Sequence, residues 1–364
     1  MFVRDIDTPA LVVDLDILER NLGRVAGYAR QHGLRLRPHT KTHKSIRLAR
    51  RQLELGAVGL TVAKVSEAEV MLGAGPADLL VAFPIVGRAK LERLTEVARR
   101  TRVTVALDSV FAARQLSEVA RAAQLEIGVL AEVDVGLGRV GVDACEALVQ
   151  LAQSIGKLPW LRFEGIAFYP GHIKEMDESG ERAWAQLAEL LRSILSDFRR
   201  AGMEAGIVSG GSTPTLFHSH ELEGLTEIRP GTYVFNDINT VRSGACAMED
   251  CAASILATVV STARPGQMIV DGGSKTFSSD RLVNSPEPSF GHVVEAPGAR
   301  LHKMNEEHGF VDVTRAGREF SVGDRVHVIP NHICVAVNLH EQVYGIRGEM
   351  VEEIWKVDAR GKLQ

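Results

Sequence analysis

Between about residues 10 and 240 the chain alternates short apolar runs with amphipathic stretches. The runs Leu34–Pro38, Gly59–Val62, Asp78–Ala82, Arg102–Leu107, Leu125–Val133, Phe163–Ala167, Gly206–Val208 and Thr226–Ile228 have the length and composition of buried strands. Between them, segments such as Ile17–His32, Ser45–Leu55, Ser66–Leu72 and Glu181–Arg200 carry apolar residues three and four apart, with Arg, Glu or Gln on the opposite face. That is the period of a helix packed on one side. Eight strands alternating with helices over about 230 residues predict a (β/α)8 barrel, which typically takes about 250. A doubly wound sheet alternates similarly. However, the glycine-rich turn of a dinucleotide site is missing after the first strand, where Arg37-Pro38-His39-Thr40-Lys41 stands instead.

Beyond about residue 246 the pattern changes. Ser254–Ser261, Met268–Val270, His292–Glu295, Gly309–Val313, Arg325–Ile329, Gln342–Ile346 and Glu352–Val357 read as strands separated by Gly, Pro, Asn and Asp turns. The predicted fold class is therefore α/β: a TIM-like (β/α)8 barrel over residues 10–245, followed by an all-β domain over 246–364. Residues 1–9 can join the second domain, and the strand Ala10–Val13 can pair with either.

Composition narrows the function. The 364 residues are 45% hydrophobic and 24% charged, with a formal net charge of −4 and no basic tract, which speaks against a nucleic-acid partner. Apolar stretches such as Leu79–Ala82 fall far short of the roughly 20 residues that span a bilayer, and the N-terminus, Met1–Asp5, has no apolar run of signal-peptide length. The four cysteines, Cys145, Cys246, Cys251 and Cys334, show no repeated ligand spacing. A chain this long needs no staples, so reduced thiols in the cytoplasm are expected.

Three short segments carry candidate chemistry. In Arg37-Pro38-His39-Thr40-Lys41-Thr42-His43-Lys44, Lys41 sits among cationic neighbours, which favour the neutral amine that attacks a carbonyl. In a barrel this is also the strand rim where active sites lie. Ser209-Gly210-Gly211-Ser212-Thr213-Pro214-Thr215 offers backbone N–H groups and hydroxyls to an anion. His332-Ile333-Cys334, if on a strand, points an imidazole and a thiolate to one face, a pair suited best to Zn²⁺. Mn²⁺ or Mg²⁺ would more naturally take a carboxylate. Taken alone, each is equally a basic loop, a plain turn or a buried cysteine.

Together these segments resemble the fold-type III pyridoxal-phosphate enzymes of alanine racemase-like fold, most nearly the group of D-threonine aldolase, D-serine dehydratase and D-3-hydroxyaspartate dehydratase. The matching segments run from Asp7-Thr8-Pro9-Ala10 to the C-terminus. The resemblance implies that Lys41 carries pyridoxal 5'-phosphate through a Schiff base, with Lys44 as a charge behind it. The segment Glu132–Gly141 is similar to the family loop whose arginine, here Arg139, lies near the cofactor. Phe168-Tyr169-Pro170-Gly171-His172 likewise implies Tyr169 and His172 beside it. Ser209, Gly210, Gly211, Ser212 and Thr213, with Gly231, Thr232 and Tyr233 of Glu227–Tyr233, stand where the family binds the phosphate. Arg229 is implied near the pyridine nitrogen, a weaker electron sink than a carboxylate partner.

At His332 and Cys334 the family holds a divalent ion (Zn, Mn or Mg). Its aldolases carry aspartate at the second position and its dehydratases cysteine, so Cys334 implies dehydration. Leu60–Glu69, in contrast, is equally similar to aldolase relatives. The implied activity is that of a lyase on D-3-hydroxy amino acids. One outcome is retro-aldol cleavage to glycine and an aldehyde, with His172 taking the hydroxyl proton. The other is dehydration to a keto acid and ammonia, with Lys41 taking the α-proton. Racemization, known in more distant fold relatives, needs no metal pair, and the small non-catalytic cofactor-binding relatives lack a second β domain. The resemblance also implies a homodimer with active sites near the interface. Lys275 and Asp280 follow Asp271-Gly272-Gly273-Ser274, and His308 ends Glu306-Glu307-His308; these too are similar to family segments. Lys275 and His308 are expected to approach the partner subunit's site.

Overall fold

A computed structural model of the chain describes residues 1–282 and 289–364. It divides into two compact units, Arg24–Lys41, Ile46–Gly231 and Lys362–Gln364 in one, and Met1–Gly23, Thr42–Ser45 and Thr232–Gly361 in the other. The chain opens with β1 (Ala10–Asp14) and α1 (Leu15–Gln31).

The first unit holds eight parallel strands: β2 (Arg35–Leu36), β3 (Leu60–Val62), β4 (Asp78–Val81), β5 (Arg102–Leu107), β6 (Ile127–Glu132), β7 (Leu161–Ala167), β8 (Ile207–Gly210) and β9 (Glu227–Ile228). Helices α2 (Ile46–Glu54), α3 (Val65–Met71), α4 (Arg88–Ala98), α5 (Val110–Ala123), α6 (Glu146–Gly156) and α7 (Glu178–Arg200) alternate with them. Local chemistry starts two of these. Ser109 accepts the Ala112 N–H at the head of α5, and Asp177 accepts those of Ser179 and Gly180 at the head of α7. The strand order is β2-β9-β8-β7-β6-β5-β4-β3, and a parallel bridge between His39 and Thr61 joins the two ends, closing the barrel. All eight strands lie where the apolar runs predict them.

Side chains fill the barrel in layers. Leu80, Ala106, Leu130, Ala167 and Ile207, from five adjacent strands, pack as one apolar layer. Beside it lie buried ions. Arg37, 1% exposed, sets its Nε 2.8 Å from Glu227 and its Nη1 2.8 Å from Asp78. Glu164 is the extra residue of a bulge in β7, between the pairings of Phe163 and Gly165 with β6. It receives Arg102 and Arg162, each at 2.6 Å, and the Thr104 hydroxyl at 2.9 Å. The next residue, Gly165, has φ +147, and a Cβ there would lie 1.9 Å from the Ile207 carbonyl oxygen, so β7 and β8 can adjoin only with glycine at this place.

The second unit is a nine-stranded sheet. With β1 it contains β10 (Ala253–Ser261), β11 (Gln267–Val270), β12 (Gly291–Val293), β13 (Arg300–Met304), β14 (Gly309–Asp312), β15 (Arg325–Pro330), β16 (Gln342–Arg347) and β17 (Met350–Lys356). The order is β11-β14-β13-β12-β15-β10-β1-β16-β17, and an additional β11–β10 pairing closes six of the strands into a ring. The opening strand β1 belongs here, antiparallel to β10 and parallel to β16. Helices α8 (Ile238–Arg242), α9 (Ser274–Phe277) and α10 (Ile333–Leu339) interrupt the strands. No helix among the described residues is long and apolar enough to cross a membrane.

Burial pushes the pKa values of His292, His327 and His340 in this unit below the ordinary 6.5. Above that value each ring is neutral whether the chain is folded or unfolded. Below it the unfolded chain takes up protons first, so stability falls with pH. The expected loss is at most about 1.4 kcal/mol per histidine per pH unit, read from urea midpoints at descending pH below 6.5. A midpoint that stays level over that range would contradict the burial of these rings.

Candidate active site

The turn bearing Lys41 is held from beneath. Thr61 donates its hydroxyl to the Arg37 carbonyl at 2.8 Å, and the Thr40 hydroxyl reaches the Thr61 carbonyl at 3.1 Å and the Glu67 carboxylate at 3.2 Å. Glu67 is fully buried and also accepts the Ala63 N–H at 2.7 Å. The Lys41 side chain leaves this turn exposed, its own amide donating to His39 Nδ1 at 3.4 Å.

The ends of β7 to β9 bring Ser209 and Arg229 onto one buried chain of polar contacts with Arg37 and Glu227. Glu227 accepts Arg37 on one oxygen and the Ser209 hydroxyl, at 2.6 Å, on the other. Arg229 donates Nη1 to Ser209 at 2.6 Å and Nη2 to the Phe168 carbonyl at 3.0 Å. Burial pushes the Arg229 pKa down, with Glu132 and Glu227 opposing. Glu132, at the end of β6, is pushed up by burial, against the pull of Arg229 and Arg139. The Arg139 guanidinium lies 5.0 Å from the centre of the Tyr169 ring, within cation–π range. His172 is half-buried, with Nδ1 buried and without a hydrogen bond among the described residues. Nearby, Asp134 accepts the N–H groups of Gly136, Leu137 and Gly138, which outweigh desolvation and hold its carboxyl below the usual range. Because Glu227 is fully buried between two arginines, Glu227→Leu is expected to destabilise the protein by about 3–5 kcal/mol in chemical denaturation. A loss under about 1 kcal/mol would show that these charges are not desolvated.

After β8 the chain builds an anion cradle. Gly211, Ser212 and Thr213 are all buried, and among the described residues none of their N–H groups has a protein acceptor. Gly211 has φ +93, and a Cβ on Gly210 would lie 2.2 Å from the Phe168 ring, so the loop's path depends on both glycines. The Ser212 and Thr215 hydroxyls are 3.0 Å apart. Unspent N–H donors flanked by hydroxyls suit a phosphate monoester such as that of pyridoxal phosphate. Gly231 ends the barrel unit, while Thr232 and Tyr233 begin a 3-10 turn in the other.

In the β unit, His332 and Cys334 do not lie on a strand. Strand β15 ends at Pro330, His332 is the N-cap of α10, and Cys334 is in that helix's first turn. The apolar Ile333-Cys334-Val335-Ala336-Val337 reads locally as strand, but packing against the sheet makes it a helix. The two side chains still meet. Cys334 pushes the His332 pKa up to about 11 against the effect of burial, helped by hydrogen bonds to Asp237 and to Cys334 itself. Asp237 Oδ2 stands 3.0 Å from His332 Nδ1. Cys334 Sγ is 3.2 Å from the hydroxyl of Thr42 and 3.9 Å from that of Thr232. No cluster of three or more His, Cys, Asp or Glu that could hold a metal occurs among the described residues, so the protein offers a pair. Asp237, which the sequence reading missed, is the carboxylate that metal-bound histidines characteristically carry behind them.

The remaining candidates have structural partners. Lys44 is buried and donates to the Ala359 carbonyl at 3.3 Å. Lys275 pairs with Glu306 and Glu307 at 3.2 and 2.7 Å, Asp280 accepts the Ser278 hydroxyl, and His308 is exposed.

The alanine racemase N-terminal domain matches residues 13–238, and the putative serine dehydratase domain matches 252–346. The chain is 34% identical to a D-threonine aldolase of Arthrobacter sp. over 98% of its own length and 93% of the relative's. A crystal structure of D-threonine aldolase from Filomicrobium marinum matches with a TM-score of 0.92 and 33% identity, covering 100% of this chain and 98% of that one. A mutant D-threo-3-hydroxyaspartate dehydratase in a metal-free form matches with a TM-score of 0.90 and 30% identity over 98% of both chains.

Proposed function

The chain belongs to the alanine racemase-like, fold-type III pyridoxal-phosphate enzymes, in the group holding D-threonine aldolase and D-3-hydroxyaspartate dehydratase, and on that basis we propose that it is a lyase of D-3-hydroxy amino acids. Its main reaction is retro-aldol cleavage to glycine and an aldehyde. The observation that supports a lyase acting on a β-hydroxyl, by cleavage or by dehydration, is the His332–Cys334 pair with Asp237 behind it, which would hold an ion that grips that hydroxyl.

Pyridoxal phosphate, when bound, supplies an electron sink for a bond broken at the substrate's α-carbon. Lys41 would hold it covalently, the N–H groups of Gly211, Ser212 and Thr213 would receive its phosphate, and Tyr169 with Arg139 would flank it. His332 and Cys334 would hold a divalent ion, zinc by the softness of the thiolate, which lowers the pKa of a coordinated hydroxyl. Asp237 accepts from His332 Nδ1 and would fix the orientation of that ring for an ion. His172 would take the hydroxyl proton during cleavage. Cys334 favours a second reading, dehydration, in which Lys41 Nζ takes the α-proton and the products are a keto acid and ammonia.

Incubation with D-threonine, D-serine and D-3-hydroxyaspartate separates the two. Glycine with an aldehyde marks cleavage, and a keto acid with ammonia marks dehydration. If none of these products forms with any substrate after cofactor and zinc are added, the proposal fails. All four cysteines are free, in keeping with a cytoplasmic protein. The exposed Phe83, Val86 and Phe111 on the barrel unit offer apolar surface that a second copy would cover in a homodimer.

A further inference from the structure

The barrel unit carries a cluster of rings that this chemistry leaves unused. Just after the anion cradle the chain makes a 3-10 helix, Leu216–Glu221, which packs on Tyr28 of α1 and on His32 just beyond it. The buried Tyr28 oxygen accepts the His220 backbone N–H at 3.1 Å and lies 2.9 Å from His220 Nδ1. Phe217 meets the Tyr28 ring edge-on at 5.3 Å, and the His32 and His220 rings stack with centres 4.0 Å apart. The 3-10 helix is also tied to the cradle. Its Leu216 N–H donates to the Thr213 carbonyl at 3.2 Å, and the Thr215 hydroxyl before it is 3.0 Å from that of Ser212.

We propose that Tyr28 and His220 form a pH-sensitive latch, which holds the 3-10 helix on α1 while His220 is neutral and loosens it, with the cradle, when His220 takes a proton. The coupling to the cradle rests on Gly211–Thr213 being the cofactor's phosphate site. Burial raises the Tyr28 pKa above the ordinary 10.0, so the phenol keeps its proton. Its oxygen already accepts a backbone N–H, and the proton has one acceptor among the described residues, His220 Nδ1. That nitrogen is therefore the bare one of a neutral imidazole. A protonated ring carries N–H on both nitrogens and leaves the buried phenol proton without an acceptor. The new charge also lies against His32 and on the side of Arg24, whose guanidinium sits 4.4 Å over Phe217. Glu221 is the single carboxylate of the 3-10 helix, and both its oxygens are engaged, one by His218 Nδ1 and one by Trp184 Nε1 of α7, each at 3.0 Å. Acid thus adds like charge to a stripe that already holds a cation.

The test follows backbone hydrogen exchange of the holoenzyme at about pH 8 and about pH 5.5, either side of the range in which histidine charges, with intrinsic rates divided out. Residues 214–222 are expected to lose protection about tenfold at the lower pH, the size of one lost hydrogen bond, and to regain it on return. Helix α5 of the same barrel is the control and is expected to stay protected. His220→Gln keeps an acceptor for Tyr28 but takes no proton, so its segment is expected to stay protected at both pH values. Tyr28→Phe is expected to lose protection at both. Equal protection of the wild-type segment at both pH values, an equal loss in His220→Gln, or a parallel loss in α5 would overturn the latch. Release of pyridoxal 5'-phosphate, read as visible absorbance after ultrafiltration, is expected to accelerate on acidification about tenfold more in the wild type than in His220→Gln. Both share any pH dependence of the Lys41 linkage, so their ratio isolates the latch. Equal acceleration overturns the coupling alone. A wild type that binds no cofactor overturns the cradle reading and the coupling together, while hydrogen exchange decides the latch independently.

Discussion

Lys41→Ala is expected to abolish the visible absorbance of bound cofactor and to lower turnover about a thousandfold or more. The size follows from the two roles proposed for this side chain, as covalent anchor and, in dehydration, as the group that receives the α-proton; general-base removal alone typically costs about 10²–10⁴. The exposed amine is raised on a turn that Thr40, Thr61 and Glu67 hold in place, so its truncation should leave the fold intact. Absorbance and circular dichroism of the purified variant separate the two effects. A variant that keeps a visible band with native-like turnover would remove Lys41 from the mechanism.

Chelation should be nearly as severe. Removing the divalent ion is expected to lower activity on a D-3-hydroxy substrate about 100-fold or more, a barrier increase of about 2.7 kcal/mol. Zinc should restore the wild type but not His332→Ala, because His332 and Cys334 are the pair proposed to hold the ion and neither would hold it alone. Asp237→Asn should fall between them, with metal affinity lowered about 10–100-fold, since the ring would keep its place but lose the carboxylate that fixes its tautomer. Titration with a competing chelator measures this. Full activity in exhaustively chelated protein would reject the metal-assisted reading.

What could be read beforehand was what repeats. Eight apolar runs alternating with amphipathic helices identify a barrel because each strand is buried on both faces and each helix on one. Strand β13, with the sequence Arg300-Leu301-His302-Lys303-Met304, escaped the reading because only two of its five residues are apolar; the strands beside it define it. Helix α10 escaped for the opposite reason, since its β-branched run reads locally as strand and tertiary packing overrides that preference. The site divides in the same way. Lys41, the Ser209–Thr213 loop and His332–Cys334 are compact segments whose residue types suggest their chemistry. Asp237 and Glu132 are single carboxylates whose meaning comes from distant partners, 95 residues away for Asp237 and His332. No local pattern announces such a contact.

The barrel spends its shortest strands where Lys41 sits. Strands β2 and β9 are neighbours of two residues each, and β2 reaches β3 through a single bridge at His39. Backbone pairing is thinnest in that sector, so its rigidity comes from side chains, chiefly the Arg37–Glu227–Asp78 ions and the Ser209–Arg229 contacts that continue from them. Heat tolerance and the placement of Lys41 therefore draw on the same few groups. A designer seeking a hardier catalyst would do better to reinforce β5 to β7 and leave this seam alone, because stiffening it would also reposition the amine it carries.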